Sequence, residues 1–198
     1  MSGDAAGVRV RRIAPGDWDA IVDLEAGTYA AAGLSEGRAA LESKARVSPD
    51  TCFALEWAAG GPGQRGPSGG PRQPGGPGPR LAGYLLALPY PEGAYPGLAD
   101  RESAAHASRH LHLHDMVIAE HARGRGLGRR LLGRLTAAAP AQGYDRISLI
   151  AVAGSHTFWS ANGFTARPGA VDVHGYGPDA VYMTMPLPHR TPARDEVG

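Results

Sequence analysis

The chain has 198 residues, 42% hydrophobic and 20% charged, which suits one packed domain and leaves little room for a second. Twenty basic residues against 19 acidic ones give a net charge of +1, too even a balance for a chain that binds nucleic acid by displacing counterions. A single cysteine, Cys52, excludes an internal disulfide and a thiolate metal cage, and points to a reducing compartment.

Val8 to Ile13 alternates apolar and basic residues, the pattern of a half-buried strand. Pro15 suits a first helical turn, and Trp18, Ile21, Val22 and Tyr29 recur at helical spacing, so Gly16 to Ala30 reads as an amphipathic helix. Gly33 breaks it. Ser35 to Arg46 reads as a second helix, with Leu34 and Leu41 facing in, and Thr51 to Trp57 as a strand. Residues 60–80 hold nine Gly and six Pro and almost nothing to bury, the composition of a flexible insertion. A strand over Leu81 to Leu88 follows at once, so the two strands read as a hairpin with an inflated tip, which loop-closure entropy tolerates. After an irregular stretch from Pro89 to Ser108, His110 to Ile118 reads as a strand and Gly126 to Ala139 as a helix with Leu127, Leu131, Leu132 and Leu135 on one face. Arg146 to Val152 is a buried-type strand, Ser155 to Ala161 a short helix and Val181 to Met185 a last strand, before an irregular tail over 186–198. The pattern is one mixed α/β domain. Neither a secretory leader nor a membrane-length apolar run is present in it, so a cytoplasmic protein is expected.

The chemistry concentrates at Arg123-Gly124-Arg125-Gly126-Leu127-Gly128, where a strand meets a helix. Alternating glycines let the backbone approach a ligand closely. The free N–H groups of the helix's first turn, with the positive end of its dipole, suit a phosphate or pyrophosphate, and Arg123, Arg125 and Arg129 add charge. No Gly-Lys-Ser/Thr closes the run, so it is not a Walker loop, and a dinucleotide fingerprint needs a third glycine at another offset and an earlier strand. Upstream, His110, His112 and His114 alternate along a strand, which puts them on one face. A histidine metal site lacks a third ligand there, because alternation sends Asp115 to the opposite face; no metal is expected.

Arg123-x-x-Gly126-x-Gly128 resembles the Arg/Gln-x-x-Gly-x-Gly/Ala loop of the GNAT N-acetyltransferase superfamily. The strand 112–118 before it, the segments 147–152 and 158–164 after it, and the order of elements from Val8 to Met185 fit the same family. The resemblance implies a mostly antiparallel sheet, flanked by helices and splayed between its fourth and fifth strands. It also implies acetyl-CoA as cosubstrate, with Arg123, Gly124, Arg125, Gly126, Leu127, Gly128 and Arg129 around its pyrophosphate. Backbone groups of Met116, Val117 and Ile118 are then expected along the pantetheine arm, with Ser155 beside it. His112-Leu113-His114 resembles the His-x-His pair of serotonin-type arylalkylamine N-acetyltransferases, which implies a water-relayed base for a primary amine. An imidazole near its ordinary pKa of about 6.5 suits that task.

The family often carries a tyrosine where this chain has Trp159, which cannot donate a proton to the leaving thiolate, so either Tyr176, Tyr182 or a water takes that role or the thiolate leaves unassisted. The aromatics Tyr29, Tyr90, Tyr95 and Trp159 are candidates for walls of an acceptor pocket. The acidic residues Asp17, Asp19, Asp23, Glu25 and Glu36 are candidates for an acceptor groove. The expected acceptor is a small-molecule amine. A peptide or protein amine, or an acyl-CoA-binding module without chemistry, is the competing reading. Neither a nucleic acid nor a membrane is an expected partner, and a monomer or homodimer is the expected state.

Overall fold

The computed structural model describes residues 7–58 and 80–188. The insertion expected over 60–80 therefore lies outside the described residues, apart from Arg80, which opens a strand; so does the tail from 189 onward. The described elements run β1 (Val8–Arg12), α1 (Trp18–Tyr29), α2 (Arg38–Val47), β2 (Phe53–Trp57), β3 (Arg80–Pro89), β4 (His110–Ile118), α3 (Leu127–Ala138), β5 (Arg146–Ala151), α4 (His156–Ser160), β6 (Thr165–Ala166) and β7 (Val181–Pro186).

The strands form one sheet in the order β1-β2-β3-β4-β5-β7-β6. Every neighbouring pair is antiparallel except β4 and β5, which run parallel. β2 and β3 pair as the expected hairpin. The two-residue β6 has no counterpart in the sequence reading, because it is too short to show a period. Leu187, just past β7, is buried and donates its N–H to the Asp145 carbonyl at 2.8 Å, so the start of the tail is docked.

The sheet is covered on both faces. On one, α3 sets Leu127, Leu131, Leu132 and Leu135 against Phe53, Leu85, Leu111 and Ile147, and Trp159 of α4 joins the same core. On the other, Ile21 of α1 and Leu41 and Ala45 of α2 pack on Cys52, Tyr84, Leu86 and Val117. Cys52 is a buried core side chain whose thiol burial raises to a pKa of about 12.

Two local departures shape the site. The second helix starts at Arg38, not Ser35, because Gly37 takes φ 78° and the segment before it is tied to α1: the buried Glu25 carboxylate accepts the Ser35 hydroxyl at 2.6 Å and the Glu36 N–H at 2.7 Å. Glu36 is therefore a loop residue. In β4, Leu86 pairs with Asp115 and Ala87 with Leu113, so His114 is an extra residue, a β-bulge. The alternation that sent Asp115 away from His114 fails there. Leu113 and Met116 both pack toward α3, whereas His114 and Asp115 together line a cavity on the α1 side.

Candidate active site

The glycine loop forms as the sequence suggests. A single 3-10 turn over Glu120–Ala122 follows β4, and Gly124 and Gly126 then take φ 72° and 74°, left-handed values that cost an L-residue with a Cβ. Gly128 is there for space, since a Cβ would sit 3.3 Å from the Phe158 ring. Gly126 caps α3 with its carbonyl, which accepts the Arg130 N–H at 3.3 Å. The amides of Leu127, Gly128 and Arg129 lie ahead of that first helical bond.

A cavity of about 530 Å³ opens over the loop, with Arg123 and Arg129 at its rim and Met116, Ile118 and Phe158 in its wall. The Arg123 Nε donates to the Ile118 carbonyl at 3.0 Å. Arg125 departs from expectation: its guanidinium lies 4.9 Å above the Trp57 ring, which stacks on His121, and its side chain is not among those lining this cavity. Cation–π attraction supplies the reason. The Leu127 side chain is buried in the core, so only its main chain faces outward.

From there the space continues between β4 and β5. Those strands pair only over His110–His112 and Arg146–Ser148, and the ladder stops while both strands run on, leaving opposed open edges. The resulting cleft of about 300 Å³ shares Met116, Arg123, Ser155 and Phe158 with the first cavity. Val117 turns its side chain into the α1/α2 core and offers only backbone. The Ser155 hydroxyl does not cap α4; it accepts the Trp159 indole N–H at 3.3 Å, which occupies that N–H.

At the far end lies a small cavity of about 40 Å³ walled by Tyr29, Leu34, Glu36, Leu98, His114 and Tyr176, among others. It meets the cleft at Tyr29, His114, Asp115, Ile150 and Val152. His114 Nε2 lies 2.5 Å from Glu36 Oε1, and the other Glu36 oxygen accepts the Lys44 ammonium at 2.5 Å. Lys44 is wholly buried and also donates to the carbonyls of Leu98 (3.0 Å) and Asp100 (3.1 Å). His114 Nδ1 is buried and has no partner among the described residues, as is the Tyr176 hydroxyl.

Asp115 accepts the Tyr29 hydroxyl at 2.8 Å and the Tyr84 hydroxyl as well. Burial lifts its carboxyl to a pKa of about 6, against the pull of the two hydroxyls. Burial also raises both phenols, and the Asp115 charge adds to it. His112 is buried with its Nδ1 3.0 Å from the Ser148 hydroxyl and its ring 6.1 Å from that of His114; burial holds its pKa well below the ordinary value.

Of the groove candidates, Glu25 and Glu36 are brought in, whereas Asp17 pairs with Arg11 at 2.6 Å and Asp19 and Asp23 face solvent. Among the aromatics Tyr29 and Trp159 line the cleft, Tyr95 stacks on His112 and meets Tyr176 edge to face, and Tyr90 packs on His106. Neither Tyr176 nor Tyr182 lines the cleft. Lys44, the chain's only lysine, gave no sequence signal beyond its rarity. Among the described residues no three His, Cys, Asp or Glu side chains gather as metal ligands, and no helix is long and apolar enough to cross a membrane.

Comparison with known proteins agrees with this geometry. Residues 75–164, which hold β3 to α4 and the glycine loop, match the acetyltransferase (GNAT) family model. No curated protein matches the sequence. Among solved structures, Ard1 from Thermoplasma volcanium aligns at TM-score 0.63 and 14% identity, covering 92% of this chain and 99% of that one. N-acetylglutamate synthase from Neisseria gonorrhoeae, complexed with coenzyme A and N-acetyl-glutamate, aligns at TM-score 0.63 and 17% identity, over 94% of this chain but only 36% of its own. The ribosomal-protein-S18-alanine N-acetyltransferase from Escherichia coli aligns at 0.51 and 15%, over 94% and 97%. At these identities the structures establish the fold. The family match covers residues 75–164 of the 198, the part of the chain that carries the glycine loop and the cleft.

Proposed function

We propose that the chain transfers the acetyl group of acetyl-CoA to the primary amine of a small molecule, with His114 and His112 moving the amine's proton. The observation that supports this reading is the position of His114 at the β4 bulge, in the wall shared by the cleft and the small cavity. Bound acetyl-CoA supplies an acetyl thioester. The residues present fit it, with a cationic, glycine-lined rim at one end and an open main-chain edge along the cleft.

In this reading Gly124, Gly126 and the amides of Leu127, Gly128 and Arg129, with the Arg123 and Arg129 guanidinium groups, hold the pyrophosphate. Arg125 contributes through its backbone, because its side chain rests on Trp57. The main chain of Met116, Val117 and Ile118 pairs with the amides of the pantetheine arm, Ser155 lies beside it, and a backbone N–H at the bulge polarises the acetyl carbonyl. An amine reaches the site as an ammonium and becomes a nucleophile only once deprotonated. His114 takes that proton, directly or through water, and the buried, uncharged His112 sits next along the path. The space of about 40 Å³ beyond His114 accommodates an ammonium head, with the rest of the acceptor lying in the cleft it opens into.

The test is thiol release from acetyl-CoA with aryl-alkyl amines, polyamines, amino acids and short peptides, for the wild type and for His112→Ala/His114→Ala. Release with one small-amine class, falling about 10²–10⁴-fold in the double variant, is the expected result. Undiminished turnover in the variant removes the histidines from the reaction. Release with peptides alone reassigns the acceptor. Saturable acetyl-CoA binding without release from any acceptor points to a binding module.

A further inference from the structure

We propose that Glu36, held by Lys44, is a positioning residue that fixes the tautomer of His114, so that Nδ1 carries the lone pair that accepts the substrate's proton. The inference rests on the reading of His114 as the base and gives that base its orientation. A carboxylate can only accept hydrogen bonds and an ammonium can only donate them. Lys44 donates to one Glu36 oxygen at 2.5 Å and spends its remaining N–H groups on the carbonyls of Leu98 and Asp100. With an ammonium already against one oxygen, Glu36 turns its other oxygen to the neighbouring imidazole as an acceptor. The His114 nitrogen 2.5 Å from the other Glu36 oxygen is Nε2, so the single proton of a neutral ring belongs there. The remaining nitrogen, Nδ1, is then a bare lone pair. It is buried and has no partner among the described residues.

The neighbours of the pair support the assignment. Glu25 from α1 holds the loop that carries Glu36 through two short hydrogen bonds, so the carboxylate arrives on a braced backbone. Asp115, next along β4, is turned to the Tyr29 and Tyr84 hydroxyls, and His112 to Ser148, so neither competes for Nε2. When Nδ1 takes a proton from an ammonium, the proton leaves the amine nitrogen and the ring becomes an imidazolium against the Glu36 carboxylate. The amine keeps the electron pair it needs for attack. This arrangement uses a carboxylate, an imidazole and a buried lysine from three separate elements.

The experiment combines steady-state kinetics with nitrogen-15 spectra of histidine-labelled protein, the His114 signals being identified by their loss in His114→Gln. The wild type is expected to show His114 neutral with its proton on Nε2. In Glu36→Gln the side-chain amide can donate to Nε2, so the proton is expected to move to Nδ1. The rate constant kcat should then fall on the order of 10³–10⁴-fold, the scale of a wrong-tautomer histidine, with the KM for the amine changed far less. Glu36→Asp should retain the Nε2 proton and recover part of kcat. A wild-type ring protonated on Nδ1 overturns the inference, as does a Glu36→Gln enzyme of unaltered tautomer and kcat beside an inactive His114→Gln. A fully active His114→Gln instead removes the base reading on which the inference stands. Should Glu36→Gln fail to fold, the wild-type spectrum alone decides.

Discussion

Asp115 is a carboxyl that the fold makes reluctant to ionise. Its pKa is displaced from 3.8 to about 6 by burial, which corresponds to about 3 kcal/mol between the two protonation states. Because the folded value lies above the unfolded one, this group favours the native state most below about pH 4. That contribution is lost as the pH rises to about 6 and stays lost above it. Asp115→Asn carries no such cost. Its melting temperature relative to the wild type should therefore be higher at pH 7.5 than at pH 4, as thermal unfolding at the two values would show. An equal difference at both places the carboxylate in a better-solvated setting than its two tyrosine partners imply.

The sequence placed this residue on the wrong face for a definite reason. Period-two alternation holds only while a strand stays in register, and the extra residue at His114 is a property of the β3–β4 pair, invisible in either strand alone. Glu36 could be read only as one of several groove acids, and Lys44 gave no signal of a role. They lie eight positions apart, one in a loop and one in a helix, and only tertiary packing sets Lys44 against one Glu36 oxygen and His114 against the other.

At the level of elements, the junction of β4 and α3 was legible because its requirements are local. Gly124 and Gly126 occupy left-handed conformations, and at Gly126 an added Cβ meets nothing within 4 Å. The cost of Gly126→Ala is therefore conformational, about 1–2 kcal/mol, with no steric clash added. The variant should fold, melt a few degrees lower and bind acetyl-CoA more weakly, since relief of the strain tilts the amides of Leu127 to Arg129 away from the cavity; calorimetric titration measures the loss. Undiminished affinity would show that the loop's amides do not hold the ligand. The start of α2 was less legible. Helical periodicity continues back through Leu34, but the Glu25 carboxylate offers Ser35 and Glu36 better partners than a helix turn does.

Across the whole molecule, the parting of β4 and β5 leaves main-chain groups without a ladder from Leu113 onward. A ligand that completes that edge should slow amide exchange over 113–118 more than over 110–112, whose parallel ladder already exists. Saturation at a hundred times Kd should stabilise the fold by about 2.7 kcal/mol. Exchange slowed equally throughout β4 would argue for global tightening instead. The sequence by itself determined the order of the elements apart from β6, the apolar face of α3 and the glycine turn that opens it, because each depends on neighbours within a turn or two of chain. Tertiary structure alone decided that Arg125 lies on Trp57, that Asp115 turns back beside His114, and that Glu36 and Lys44 stand behind the same ring. Those arrangements depend on contacts between segments as far as 78 positions apart, and the register of a sheet and the burial of a charge are settled only when distant segments meet.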